Sequence, residues 1–197
     1  MALVWPTQQW QTSTPAEQGM DSMALANLLD FGATRSLDSL LLARHGRIVL
    51  DAYYAPYAAD IPHRINSATK AVVGTLAAIA HKDGLLDSFN HPVLEFFGDR
   101  SVANVDDGKK AITVQNLLDM TSGIYWTEPL DGRPDSMIEM GRQQDWVKFV
   151  LDRPMSSAPG EVFNYNSGGT HLLSAIITGL TGMSAADYAK FLADEAK

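Results

Sequence analysis

Hydrophobic spacing along the 197-residue chain changes period twice. From Asp21 to Leu29, the positions of Met23, Leu25, Leu28 and Leu29 predict a short helix with Gly32 as its stop. Two strand-like runs follow, Leu37 to Ala43 and Ile48 to Tyr54. The Arg44-His45-Gly46-Arg47 stretch between them supplies a two-residue His-Gly turn, so they predict a hairpin. Apolar residues are dense on both faces of this hairpin, and helices rather than water are expected to cover it. Beyond Pro62 the period is helical. Ala68 to Lys82 carries Ala71, Val72, Val73, Leu76, Ala77, Ile79 and Ala80 without a polar face, predicting a buried helix closed by Gly84. Further helices are expected from Thr113, whose hydroxyl can cap the turn ahead of Val114, Leu117 and Leu118, over Trp146 to Leu151, and over His171 to Leu180. The last runs from Ala185 to Ala193, with Ser184 and Asp187 as a capping pair.

Residues 1–20 are rich in Gln, Thr and Pro around Trp5 and Trp10, and read as an extended arm laid over a surface. No repeat, linker or low-complexity block interrupts the chain. The expectation is a single domain over 1–197, with the arm at 1–20, the hairpin at 37–54 and a mainly helical region at 62–197 that holds the candidate chemistry. This is an α/β arrangement of the α+β kind: an antiparallel sheet flanked by helices, plus a helical region. Two strands cannot close a core of this size, so the sheet is expected to be incomplete.

Composition narrows the chemistry. With 46% hydrophobic and 19% charged residues the chain is globular in type, and its net charge of -8 with scattered Lys and Arg argues against a nucleic-acid partner. The absence of cysteine removes disulfides, thiolate nucleophiles and Cys-ligated zinc, so covalent chemistry needs another nucleophile. It also leaves the compartment undetermined. Met1 to Pro6 lacks the basic and long apolar parts of a signal peptide, and apolar stretches are broken well before about 18 residues, so no membrane span is expected. His45, His81, His91 and His171 show no metal-ligand spacing, and neither metal nor cofactor is expected. Asp106 to Lys110 reads as a charged, solvated loop.

The most informative stretch runs from Arg64 to Gly74. Ser67 and Lys70 stand three apart at the start of the apolar helix and project from one face. A serine hydroxyl needs a nearby base to act as a nucleophile, and a helix N-terminus favours negative charge beside it. Taken alone, S-x-x-K arises often by chance, and a capping serine with a solvated lysine is the ordinary alternative. The apolar helix behind Lys70 argues against that alternative.

Four segments occur in order: LLLARHGRIVLDAYY, INSATKAVVGTLAAIAHKDGLLD, ITVQNLLDMTSGI and APGEVFNYNSGG. With them, the chain from about Leu37 onward resembles the serine β-lactamase and penicillin-binding protein superfamily, in particular class C β-lactamase-like esterases and peptidases. The resemblance implies Ser67 as nucleophile, Lys70 as its base, and Tyr165, after the Pro159-Gly160 turn, as a second base. It also implies a structural role for the T-x-x-x-L-L-x-H-T-S-G element. Thr113, Leu117, Leu118, Thr121, Ser122 and Gly123 match that element, Met120 replaces its His, and Ser122 is not read as a nucleophile. In the Y-x-N element the Asn position holds Ser167, with Asn166 one place early. A hydroxyl is shorter than an amide and a single donor, which favours an ester or small-amide hydrolase over an efficient β-lactamase.

Ser167, Asn166 and Trp126 are the expected substrate contacts, while Glu128, Asp131 and Arg133 are expected in a loop bordering the cleft. The K-T-G or H-x-G triplet of the family is not found after Tyr165. The chain is therefore expected to be the N-terminal portion of a longer protein, or one of two chains that together complete the sheet. The implied function is a serine hydrolase forming an acyl-enzyme on Ser67 from a small-molecule ester or amide, β-lactams included. The alternatives are a penicillin-binding or sensor-type module that acylates without turnover, and an interaction domain in which Ser67 and Lys70 only pack.

Overall fold

The computed structural model describes residues 9–62, 64–129 and 134–195. Trp5 of the expected arm, and Asp131 and Arg133 of the expected cleft loop, lie outside the described residues. The chain groups into two compact units that divide between Ile65 and Asn66.

The first unit holds a small sheet and one helix. Strand β1 (Gln11–Thr12) is followed by helix α1 (Ser22–Ala33) and by strands β2 (Ser39–Arg44) and β3 (Arg47–Tyr53), in sheet order β1-β3-β2. The hairpin forms as the spacing predicts. His45 (φ 51°) and Gly46 (φ 74°) both take the left-handed conformation that a tight hairpin turn requires. The sheet departs from expectation in being mixed: Gln11 and Thr12 pair in parallel with Arg47 and Ile48, so part of the supposed arm is an edge strand. Helix α1 is capped by Asp21, which accepts from the Met23 and Ala24 amides, and it runs past Gly32. That glycine does not stop the helix. A Cβ there would overlap the Tyr54 hydroxyl and lie 2.8 Å from its Cζ, so glycine admits the tyrosine, whose hydroxyl donates to the Leu29 carbonyl at 3.2 Å.

The second unit is helical. It comprises α2 (Thr69–Lys82), the short α3 (Asp107–Lys110) and α4 (Val114–Leu118), then α5 (Ser136–Gly141), α6 (Trp146–Leu151), α7 (Ser167–Thr181) and α8 (Ala185–Glu195). Helix α7 is the centre, packing against α2, α4 and α6. Leu172, Leu173, Ile176 and Ile177 of α7 are buried with Val73, Leu76, Ala77 and Ala80 of α2, Val114 and Leu117 of α4, and Val150 and Leu151 of α6. Contrary to expectation, α2 is not buried all round: Ala71, Val72, Thr75 and Ala78 form an exposed strip. Its end is as predicted, with Gly84 left-handed (φ 76°) just beyond the Asp83 cap. Thr113 caps α4 in a reciprocal box with Asn116. Helix α7 starts four residues before the predicted His171, because Asn166 caps it and the helix-poor Gly168 is needed for packing. A Cβ on Gly168 would sit 2.7 Å from the Trp126 ring and 2.8 Å from Val150.

The largest correction concerns the stretch read as a solvated loop: Asp107–Lys110 is helix α3, capped by Asp106, and Lys109 within it is buried. Lys109 is only 1% exposed, and its Nζ donates to the carbonyls of Ala103 (2.9 Å), Leu151 (2.7 Å) and Arg153 (2.7 Å). Burial lowers its pKa, opposed by the charges of Asp106 and Asp152. The ammonium thus satisfies carbonyls left open where α6 ends and ties them to the 103 loop. Lys109→Ala is expected to leave three inward-facing acceptors without a donor and to lower unfolding free energy by about 3 kcal/mol. Chemical denaturation measures this, and a loss below about 0.5 kcal/mol contradicts the bridging role.

Candidate active site

Ser67 lies in a 3-10 turn, Asn66–Ala68, that leads directly into α2, and Asn66 takes a left-handed backbone (φ 46°) at its start. One helical turn on, Lys70 Nζ donates to Ser67 Oγ at 3.2 Å. From the far side of the sequence, the Tyr165 hydroxyl donates to the same Oγ at 2.6 Å. Lys70 Nζ also stands 4.7 Å from the centre of the Tyr165 ring. The three residues read from the sequence as nucleophile and bases therefore converge on one oxygen.

Their environment is open. Ser67 is exposed, Tyr165 is 38% exposed and Lys70 is half-buried, so the apolar helix does not enclose the lysine as its sequence suggested. Hydrogen bonding with Lys70, and secondarily with Ser67, lowers the pKa of the Tyr165 phenol, while partial burial and the charge of Glu128 oppose the shift.

Tyr165 is placed by pairing between two loop segments. The Asn164 amide donates to Met120 O at 2.8 Å, Gly160 N to Thr121 O at 2.7 Å, Ser156 N to Gly123 O at 2.7 Å and Tyr125 N to Pro154 O at 2.8 Å. Asn164 Nδ2 adds a bond to Trp126 O at 3.0 Å. The T-S-G segment is thus the template against which residues 154–164 lie. Gly123 is left-handed (φ 74°), and a Cβ on it would overlap the Ser157 carbonyl. Ser122 is 4% exposed and accepts from the Ile124 amide at 3.4 Å, a structural position.

The expected substrate contacts fare differently. Asn166 is 3% exposed and its Oδ1 caps α7 by accepting from Gly169 N at 2.8 Å, while its buried Nδ2 has no partner. Trp126 is also 3% exposed, with its ring against Gly168. Asn166 is turned into the helix cap, whereas Trp126, though largely buried, is among the residues lining a hollow beside Glu128. Ser167 is half-buried and its hydroxyl donates to Glu128 Oε2 at 3.0 Å. Glu128 Oε1 accepts from Ser167 N at 2.8 Å and from Trp126 Nε1 at 2.5 Å. Sequence reasoning placed Glu128 only in a bordering loop. Nothing in its local spacing marks it, because its main partner lies 39 positions away.

The described histidines are held by neighbours. His91 pairs with Asp87 (2.8 Å) and Glu95 (3.3 Å), His45 with Gln18 (3.1 Å) and His81 with the Leu86 carbonyl (2.8 Å). His171 meets Trp146 edge-on with centroids 5.2 Å apart. Among the described residues no three of His, Asp and Glu gather as a metal site, and no helix is long and apolar enough to cross a membrane.

A family model described as Beta-lactamase matches residues 16–192. Similar solved structures include a D-stereospecific amidohydrolase from a Streptomyces species (23% identity, TM-score 0.64, covering 87% of this chain and 53% of that one). They also include the hydrolase EstCE1, with promiscuous acyltransferase activity (18%, TM-score 0.66, 86% and 50%). A third is an octameric penicillin-binding protein homologue from Pyrococcus abyssi (25%, TM-score 0.60, 87% and 42%). The chain spans about half the length of the solved structures it matches.

The phenol supplies a direct check on this geometry. Tyr165 is expected to ionise below the ordinary tyrosine pKa of about 10, and Lys70→Met to move its ionisation upward. Ultraviolet titration of tyrosinate, with Tyr165→Phe as the blank, measures both. A Tyr165 titration unaffected by Lys70→Met contradicts the coupling.

Proposed function

The chain belongs to the β-lactamase family, and on that footing we propose that it carries the nucleophile of a serine hydrolase that cleaves an ester or amide through an acyl-enzyme on Ser67. One observation carries the reading: Ser67 Oγ sits within hydrogen-bond reach of both Lys70 Nζ and the Tyr165 hydroxyl, at 3.2 and 2.6 Å. The names of the similar structures, which include an amidohydrolase and a hydrolase with acyltransferase activity, support the substrate class.

In the proposed reaction Ser67 Oγ attacks the carbonyl carbon, and the carbonyl π electrons move to oxygen. The serine proton passes to whichever of Tyr165 and Lys70 is unprotonated, and the lowered pKa of Tyr165 favours a share for the phenolate. The N-terminal end of α2, beside Ser67, favours negative charge on the carbonyl oxygen. Collapse of the tetrahedral intermediate breaks the bond to the leaving group, which takes the proton just removed from serine. Water then attacks the acyl ester, its proton follows the same path, and Ser67 is regenerated. The family's third element, on a late strand, is proposed to come from further sequence or from a second chain.

An interaction domain in which Ser67 and Lys70 merely pack is disfavoured, since Ser67 is exposed. A module that acylates without turnover uses the same three residues and differs only in the second half of the cycle.

Lys70→Ala is expected to slow acylation of Ser67 by about 10²–10⁴-fold while leaving α2 intact, because alanine is the best helix former. Ser67→Ala is expected to abolish labelling. Intact-protein mass spectrometry of the complete protein after reaction with an acyl phosphonate or a penicillin reads both. Equal labelling of wild type and Lys70→Ala at neutral pH overturns the proton-transfer assignment, and a burst without steady turnover identifies the module that acylates only.

A further inference from the structure

The arrangement around Glu128 bears on which esters and amides the site accepts, and the inference rests on the acyl-enzyme reading above. At the Y-x-N element the family's asparagine offers both a donor and an acceptor. Here the position holds Ser167, and its only proton is committed to Glu128 Oε2 at 3.0 Å. The pair therefore presents acceptor oxygens and one negative charge where an amide would have presented an N–H.

That charge is fixed. Trp126 Nε1, Ser167 N and Ser167 Oγ hold the two carboxylate oxygens from three directions, and Trp126 and the start of α7 are themselves part of the packed core. The carboxylate is half-buried, so solvent screens it less than a surface charge. It is also close enough to the reacting groups for its charge to act on the Tyr165 phenol. Beside it lies a hollow of about 400 Å³, lined by Trp126 and by Tyr125, Thr127, Glu128, Pro129, Pro134 and Asn164. Among these described residues Glu128 is the one carboxylate. Tyr125, 44% exposed, adds an aromatic face of the kind that attracts cations. No lysine or arginine lines the hollow among the described residues.

We infer that Glu128 is a specificity-determining residue: with Tyr125 it forms a subsite for a cationic group, so that esters and amides carrying an ammonium are preferred over neutral ones and anionic acyl compounds are disfavoured. Penicillins, which carry a carboxylate, fall in the disfavoured class.

The test uses the complete protein and three p-nitrophenyl esters of equal chain length, ending in a methyl group, a quaternary ammonium and a carboxylate. The expected order of kcat/KM is cationic, neutral, anionic, with the cationic ester ahead of the neutral one by about five- to tenfold, chiefly through KM. Glu128→Gln keeps an acceptor for Trp126 and a polar partner for Ser167 while removing the charge. It is expected to bring the cationic-to-neutral ratio within about twofold of unity, whatever its absolute rate.

A second measurement needs no variant. In wild type the same ratio is expected to fall between about 0.01 M and about 1 M salt, as the screening length drops from about 30 Å to about 3 Å. Equal rates for the three esters, a preference that survives Glu128→Gln, or one indifferent to salt each overturn the subsite while leaving acylation of Ser67 intact. Failure of all three esters to acylate Ser67 overturns the hydrolase reading and the subsite with it.

Discussion

Two donors meet on the single oxygen of Ser67, and one of them comes from 98 positions away. Lys70 reaches Ser67 by helical spacing alone, so that contact needs only the first turn of α2. Tyr165 reaches it only if the α7 N-terminus is held beside the start of α2, and much of the helical unit serves that demand. The buried faces of α2 and α7 pack on each other, the T-S-G segment pairs with the stretch leading to Tyr165, and Asn166 fixes the point at which α7 begins. Loosening any of these moves the phenol before it disturbs the serine or the lysine.

What was legible in the sequence is what short-range rules decide. The His-Gly hairpin, the Thr113 cap, the span of α6 and the stop at Gly84 all depend on residues within a turn of one another. The convergence of Ser67, Lys70 and Tyr165 was legible because their spacing and order match a known series. What was not legible depends on partners distant in sequence. Gly32 looks like a terminator until Tyr54 is seen against it, and Lys109 looks solvated until the carbonyls of Leu151 and Arg153 are brought to its ammonium. Gly168 lowers helix propensity where α7 begins, yet it is there because the Trp126 ring occupies the space of a side chain.

The same reasoning applies to the expected substrate contacts. Asn166 and Trp126 were expected at the cleft; the Asn166 amide oxygen caps α7, and the Trp126 indole packs in the core with its N–H on Glu128. Glu128 is the polar partner of the residue at the Asn position. It substitutes a fixed charge for a neutral amide, and the departure from the Y-x-N pattern is chemically coherent once Ser167 and Glu128 are treated as one unit.

Trp126 has a further consequence. Its ring packs against Gly168 and Val150 approaches the same point, while its indole N–H donates to the carboxylate of Glu128. Emission from a buried indole is sensitive to nearby charge, and this one is wired to a single carboxylate. A change in the charge or position of that carboxylate would therefore alter the surroundings of one of the chain's four tryptophans, so the intrinsic emission of the protein carries a signal from this corner of the fold.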